Sequence, residues 1–384
     1  MPLQIHNDFR HTTHVLHGAG AIVRLPEFFH AKAKVLIVTD KGLEQAGIAE
    51  KIIAVFDSAD IPYAVYNGAK PNPAAACVHA GQRLYAKEKC NALLALGGGS
   101  PMDVAKMIGV VATNGGRIND YLGSGKINKN IPSLSCVPTT YGTGSEVTPF
   151  AVLTNPKTQN KDPVISARIA PQVAILDPNL SVALPASVGG PTGMDALTHA
   201  IESYTNLMAG PITDGLALQA IRLIGENLRL ACANDCELAA TENMLVASML
   251  AGMAFAQTRL GNVHAMSHPV GAQFGVHHGL ANAILLPYIM DFNLTTRLGK
   301  FAAVAEALGA DTLGLNEREA AQLAIDTVWE LNQDLAIPAK LSEVGVKKSG
   351  IRTLAKATMQ SGNIAVNPRK TSQLDIETIF RKAI

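Results

Sequence analysis

Residues 92–103 read ALLALGGGSPMD, and this stretch decides the architecture. Ala92, Leu93, Leu94, Ala95 and Leu96 form an apolar run of strand length that passes directly into Gly97, Gly98 and Gly99. Ser100 is placed to cap a following helix, with Pro101 at its first position and Asp103 at its third. Three glycines between a strand and a helix N-terminus let backbone N–H groups approach an anion, and a pyrophosphate suits such a turn. The spacing is not GxGxxG, because Met102 stands at the third glycine position, so a plain tight connection is the competing reading.

Upstream the same alternation repeats. Val35, Leu36, Ile37, Val38 and Thr39 make a strand-length run followed by helical spacing to about Phe56, and residues 63–66 make a second strand ahead of a helix over 74–88. Downstream, strands are expected around residues 134–138 and 173–177, framing a hairpin near 148–166. Residues 1 to about 30 read as an extended start with a turn at Gly18, Ala19 and Gly20. Strands alternating with helices predict a mostly parallel sheet covered on both faces. After Pro185, strand-like runs give way to Ala/Leu/Met-rich stretches of helical spacing, such as residues 212–233 and 239–258. The expected organisation is an α/β nucleotide-binding domain over residues 1–184 and an all-α metal-binding domain over residues 185–384.

A chain of 384 residues, 48% hydrophobic and 16% charged, has material for two well-buried domains. Its net charge of +1, with no Lys/Arg cluster, gives nucleic acid or an anionic membrane little to hold. The opening MPLQIHNDFRHTTHV lacks a basic segment followed by an apolar core, and the uncharged run at residues 260–290 is interrupted by four His, two Pro and two Asn. Neither secretion nor a membrane span is expected. Five cysteines, Cys77, Cys90, Cys136, Cys232 and Cys236, form no CxxC pair and fit a reducing cytoplasm, with Cys232 and Cys236 read as ordinary packing.

Residues 261–279, GNVHAMSHPVGAQFGVHHG, hold four of the eleven histidines. His264 and His268 share a helical face, and His278 follows after Gly271 and Gly275 have offered turns; upstream, Asp195 and His199 again share a face. Between Arg259 and Asp291 there is no Lys, Arg, Asp or Glu, so these imidazoles lie in apolar surroundings where unpaired polar groups are costly. One such histidine would be an ordinary core residue; a buried cation explains the set. One carboxylate with three or four neutral imidazoles suits Fe, Zn, Co or Ni rather than the oxygen shells of Mg or Ca. Asp40, closing the first strand, can accept ribose hydroxyls and repel a 2′-phosphate, favouring NAD over NADP, with a helix cap as the other reading. Residues 138–146, PTTYGTGSE, follow a strand and offer Thr139, Thr140 and Thr143 to the cleft that Gly98, Gly99, Ser100 and Asp103 border.

GGGSPMD at 97–103, PTTYGTGSEVT at 138–148, TGMDALTHAIE at 192–202 and GNVHAMSHPVG with HHG at 261–279 together resemble the iron-containing (group III) alcohol dehydrogenases, whose members include lactaldehyde reductase and 1,3-propanediol dehydrogenase. The resemblance covers nearly the whole chain. It implies a Rossmann-like α/β domain, a helical metal domain and a cleft between them, in homodimers or larger homo-oligomers. It implies Asp195, His199, His264 and His278 as ligands of Fe2+, with Zn2+ as the alternative, and His268 beside the metal near the nicotinamide. It further implies NAD contacts from Asp40, Asn72, Gly99, Ser100, Thr139, Thr140, Thr148, Phe150, Lys161 and Leu180, with His268 and His278 at the nicotinamide end.

Departures from the family pattern are few: Tyr141 and Pro191 stand where Ala is usual, and His277 replaces a frequent Pro. Phe150 occupies a position that is polar in lactaldehyde reductases, which tilts the expected substrate towards a less polar short-chain alcohol. The expected reaction is hydride transfer at the cleft between a primary alcohol or diol and NAD, giving the aldehyde, with the metal as Lewis acid. His268 is read as a proton relay or as a hydrogen-bond partner of a ligand. Two rivals are a metal-dependent lyase of the dehydroquinate-synthase type, whose metal set resembles two His and a Glu, and a non-catalytic nucleotide-binding or filament-forming protein.

Overall fold

Six strands, β1 (His14–His17), β2 (Val35–Val38), β3 (Tyr63–Tyr66), β4 (Ala92–Gly97), β6 (Ser133–Pro138) and β9 (Val173–Leu176), form one wholly parallel sheet in the order β1-β9-β6-β4-β2-β3. A second sheet joins β5 (Gly123–Ser124), β8 (Lys161–Ile165) and β7 (Phe150–Thr154), with β7 and β8 antiparallel. This computed structural model describes residues 9–154, 161–233 and 237–384, the side chains of Lys161 and Asp162 excepted. The chain folds as two compact units, one of Thr12–Leu184 with Glu237–Met249 and one of Met1–His11, Pro185–Cys236 and Leu250–Ile384.

In the first unit the central strands are buried along their whole length, which is why they read as unbroken apolar runs rather than alternating ones. Successive residues still point to opposite faces, and each face has its own core. Leu36, Val38, Leu93 and Ala95 join Val78, Met102 and Ile108, whereas Val35, Ile37, Leu94 and Leu96 join Leu25, Ile52 and Phe56. Each of these side chains larger than alanine contributes on the order of 1.5–3 kcal/mol by burial. The covering helices are α1 (Lys41–Gln45), α2 (Ile48–Ser58), α3 (Ala75–Lys87) and α4 (Gly99–Asn114). Gly47, at φ 70, splits the expected single helix before Phe56 into α1 and α2.

Two expectations need correction. Residues 9–30 are extended only around β1; Ala21–Phe28 is a 3-10 helix, entered through Gly20 and Ile22, whose N–H groups both donate to the distant Asp177 carboxylate at 3.1 Å. Ser100 is not the cap of α4 either. Gly98, extended at φ −81 and ψ −160, is the N-cap, and the helix begins at Gly99 with no side-chain cap.

The second unit is built from α5 (Ala186–Thr205), α6 (Pro211–Cys232), the later part of α7 (Leu238–Thr258), α8 (Asn262–Phe274), α9 (His278–Asn293), α10 (Leu298–Ala307), α11 (Glu317–Asp334), α12 (Ile351–Thr358) and α13 (Gln373–Ala383). Glycine permits the tightest approaches. A Cβ on Gly193 would lie 2.2 Å from Leu228 Cδ1, so the Leu228 side chain of α6 packs directly on the α5 backbone there. By length and composition α7 could cross a membrane, but 61% of its apolar window is buried inside the protein, as in a core helix. Cys77, Cys90, Cys136 and Cys232 are free thiols, and burial pushes those of Cys90 and Cys136 up; Cys236 lies outside the described residues.

Candidate functional site

Asp195, His199 and Glu202 follow one face of α5 at successive turns, and all three are buried. From Asp195 Oδ1, the Nε2 atoms of His199, His264 and His278 lie at 3.8, 3.7 and 3.8 Å. Donors of a tetrahedral ion bonded at about 2.1 Å stand about 3.4 Å apart, and each of the three nitrogens lies near that separation from Asp195 Oδ1. The donor atoms of Asp195, His199 and His264 lie within 4.8 Å of one another.

Packing explains how the last ligand arrives. A Cβ on Gly279 would stand 2.4 Å from the carbonyl oxygen of Pro191, so only glycine lets the start of α9 settle on α5 and bring His278 beside Asp195. His277 is exposed, whereas His278 is half-buried and directed to Asp195. His268 is placed alongside, its ring centroid 5.3 Å from that of His278 and 6.0 Å from that of His264. His199 is held between two flat partners, stacked on His264 at 4.6 Å and on Phe255 at 4.5 Å.

Glu202 is one of the residues that sequence reasoning missed. His264 Nδ1 is 2.6 Å from Glu202 Oε2, and the N–H of Val263 donates to Oε1 at 2.6 Å. The carboxylate therefore caps α8 from another helix and accepts a hydrogen bond from the Nδ1–H of His264, leaving the Nε2 lone pair towards Asp195. Burial pushes the Glu202 carboxyl up to about 7, against the backbone N–H groups of Gly261 and Val263 and the nearby His199, which lower it. The available signal was its spacing, seven residues after Asp195 and three after His199. Asn282, one turn beyond His278, was missed as well; its Nδ2 donates to Asp195 Oδ1 at 2.6 Å, and its buried Oδ1 has no hydrogen-bond partner among the described residues. A buried carboxylate, imidazole nitrogens and a second carboxylate behind them fit a divalent transition ion.

The glycine turn lies in the first unit at a topological switch point: β3 is on one side of β2 and β4 on the other. Ligands of open parallel sheets bind at the carboxyl ends of strands where the order reverses. Asp40 follows β2 there, Gly97–Gly99 end β4, and Thr139, whose N–H donates to Gly97 O at 3.1 Å, follows β6. Thr140 Oγ1 would be 3.1 Å from a Cβ on Gly98, and Thr143 Cγ2 would be 3.0 Å from one on Gly99, so these threonines face the turn. Ser100 is in the first turn of α4, half-buried. Asp40 Oδ1 accepts from Gly42 N at 2.8 Å and Leu43 N at 3.0 Å, capping α1.

The other expected nucleotide residues are more dispersed. Asp103 is turned to the second sheet, accepting from Ser145 Oγ at 3.1 Å and Val152 N at 3.0 Å. Asn72 is exposed at φ 52, and Leu180 is buried in the core beneath β2. Thr148 and Phe150 are fixed by a group with no role in the sequence reading: the fully buried Lys106, whose Nζ donates to the carbonyls of Ser145, Thr148 and Phe150 at 2.7, 3.0 and 2.6 Å. Burial lowers the Lys106 ammonium and raises the Glu146 carboxyl beside it to about 7. Lys161 pairs through its backbone with Thr154; its side chain lies outside the described residues.

A parallel-sheet unit with an anion-ready glycine turn and a helical unit with a carboxylate–imidazole donor set have the form of a metal-dependent dehydrogenase. The chain belongs to the iron-containing alcohol dehydrogenase family: the family model "Iron-containing alcohol dehydrogenase" matches residues 12–178, and "Fe-containing alcohol dehydrogenase family, C-terminal" matches residues 191–384. It is 44% identical to 1,3-propanediol dehydrogenase of Citrobacter freundii, with 91% of each chain covered. It is 42% identical to NAD-dependent methanol dehydrogenase of Bacillus methanolicus, covering 96% of this chain and 97% of that one. The crystal structure of a 1,3-propanediol oxidoreductase matches with a TM-score of 0.96 at 40% identity, over 99% of this chain and all 100% of the other. The protein is therefore an enzyme of the alcohol–aldehyde oxidoreductase class, in a family that implies a divalent metal, iron foremost.

Proposed function

We propose that the enzyme interconverts a short-chain primary alcohol or diol and its aldehyde by direct hydride transfer with NAD, using Fe2+, or alternatively Zn2+, held by Asp195, His199, His264 and His278. The observation that carries the proposal is the convergence of three Nε2 atoms to 3.7–3.8 Å from Asp195 Oδ1, with Glu202 behind His264. When bound, the ion supplies a Lewis acid for the substrate oxygen and the nicotinamide supplies the two-electron acceptor.

The chain's own residues then have separate tasks. Glu202 accepts the Nδ1–H of His264 and so holds the proton on that nitrogen, which leaves Nε2 with a lone pair to offer. The ring of Phe255, stacked on His199, excludes water from one side of the donor set. His268, beside His278 and His264, accepts the alcohol proton, and in the reverse direction gives a proton to the oxygen of the aldehyde as hydride reaches its carbon. The first turn of α4, Thr140 and Thr143 bind the pyrophosphate, and Asp40 Oδ2 accepts the ribose hydroxyl while Oδ1 caps α1. Residues 1–184 are the nucleotide-binding part and residues 185–384 the metal-binding part. Phe150 favours a less polar substrate.

A near-zero net charge of +1 supports a small-molecule enzyme without nucleic-acid or membrane partners. The free thiols of Cys77, Cys90, Cys136 and Cys232 support a cytoplasmic setting, and the family resemblance supports a homodimer or larger homo-oligomer. The test is NADH formation from a panel of short alcohols and diols, with metal-stripped protein reloaded with each metal in turn. Metal-dependent NADH formation is expected; turnover with no net NADH change would favour lyase chemistry instead.

A further inference from the structure

We infer that Asn282 is a positioning residue that holds the donor set converged through its amide nitrogen, and that metal affinity depends on it. The inference rests on the metal reading of Asp195, His199, His264 and His278. Asn282 lies one turn after His278 on α9 and is fully buried. Its Nδ2 is 2.6 Å from Asp195 Oδ1, 3.1 Å from His264 Nε2 and 3.2 Å from His278 Nε2, so one atom reaches groups carried by α5, α8 and α9.

Chemistry fixes which end of the amide faces them. A carboxylate oxygen at 2.6 Å requires a donor, and His264 Nε2 is an acceptor because the ring proton is on Nδ1, donating to Glu202. Turning the amide over would set Oδ1 against both. A carboxylate and imidazole lone pairs aimed at one point repel one another, and the N–H2 group places positive dipole ends among them. The donors are thereby kept close to their bonding positions, and less rearrangement is needed on metal binding. The other end of the amide supports this assignment. Asn282 Oδ1 is buried with no hydrogen-bond partner among the described residues, a cost that a space-filling Leu would avoid, so the residue is present for its nitrogen.

The experiment compares wild type, Asn282→Leu and Asn282→Ala, each as the full metal-stripped chain titrated with Co2+ against a competing chelator and followed by the visible ligand-field spectrum. Leu matches Asn in size but has no donor. Both variants are expected to bind Co2+ about 10–100-fold more weakly than wild type, with a spectrum of the same shape. Wild-type affinity in Asn282→Leu would show that only packing matters and overturn the inference, as would affinity within about twofold in Asn282→Ala should the Leu variant not fold. Asp195→Ala run alongside separates the two levels. If wild type binds Co2+ but Asp195→Ala binds it equally well, the metal reading itself fails; if only the Asn282 variants are unaffected, the inference alone fails.

Discussion

Glu202 Oε2 lies 2.6 Å from Nδ1 of His264 while Glu202 Oε1 accepts the N–H of Val263, so one buried carboxylate orients an imidazole and ends the helix that carries it. The two duties can be pulled apart. Glu202→Gln keeps an acceptor for the helix end but loses the charged partner of His264, and is expected to weaken metal binding by about 10–100-fold with little loss of stability. Glu202→Ala should also lose about 1–3 kcal/mol, because the N-terminal N–H groups of α8 are left unpaired. Metal analysis and denaturant unfolding measure the two effects.

Asp195 is the common neighbour of three imidazole nitrogens. Asp195→Ala is expected to abolish stoichiometric metal content and reduce alcohol-dependent NADH formation more than about a hundredfold. Retained activity would return the reading to a protein that does not use this site.

At the glycine turn, Gly99→Ala would put a methyl group 3.0 Å from Thr143 Cγ2, where the strand-following loop must yield. NAD affinity should fall about tenfold, roughly 1.4 kcal/mol, while metal content stays at the wild-type level. Equilibrium titration with NAD and metal analysis on the same preparation test this.

The double use of Asp40 gives a separable pair of variants. Asp40→Ser keeps a side-chain oxygen for the N–H groups of Gly42 and Leu43 and removes the negative charge, so it should retain stability and accept NADP more readily. Asp40→Ala should lose about 1 kcal/mol as well. The ratio of kcat/KM for NAD and NADP, set beside the melting temperature, distinguishes the two.

Glu146 predicts a pH dependence. Its carboxyl is raised by burial from the ordinary value of 4.5 to about 7, with its own backbone N–H and then Lys106 acting the other way. Below pH 4.5 the group is protonated folded or unfolded; between 4.5 and about 7 only the folded chain keeps the proton, so this group's contribution makes stability fall as pH rises through that window and level off above it. The shift corresponds to about 3 kcal/mol. Unfolding free energies measured from pH 5 to pH 8 should fall less steeply in Glu146→Gln than in wild type.

What the sequence revealed depended on how local the cause was. Unbroken apolar runs identified β2 and β4, and helical spacing gave α6 and α7 to within a residue or so at each end. The side chains grouped by four-residue spacing, Asp195 with His199 and His264 with His268, do share faces and meet. Glu202 lies on the Asp195–His199 face of α5 and Asn282 one turn after His278 on α9, yet a carboxylate or an amide in a helix looks like solvent-facing polarity until the opposing helix is known. Lys106 was hidden for the same reason, its partners being carbonyls some forty residues away. The 3-10 helix Ala21–Phe28 depends on Asp177, and no spacing rule spans that distance. At α4 the local rule itself misled: Ser100 has the chemistry of a cap, but the extended Gly98 starts the helix earlier.

That early start leaves α4 without a side chain to close its amino end. Whatever anion settles there completes a helix as well as occupying a pocket. Its binding energy would then be shared with the folding of the surrounding lobe, at about 2.7 kcal/mol for a ligand at a hundred times its dissociation constant. A cell's supply of coenzyme would thus help decide how often this half of the molecule opens, and starvation for the small molecule would register as fragility of the protein.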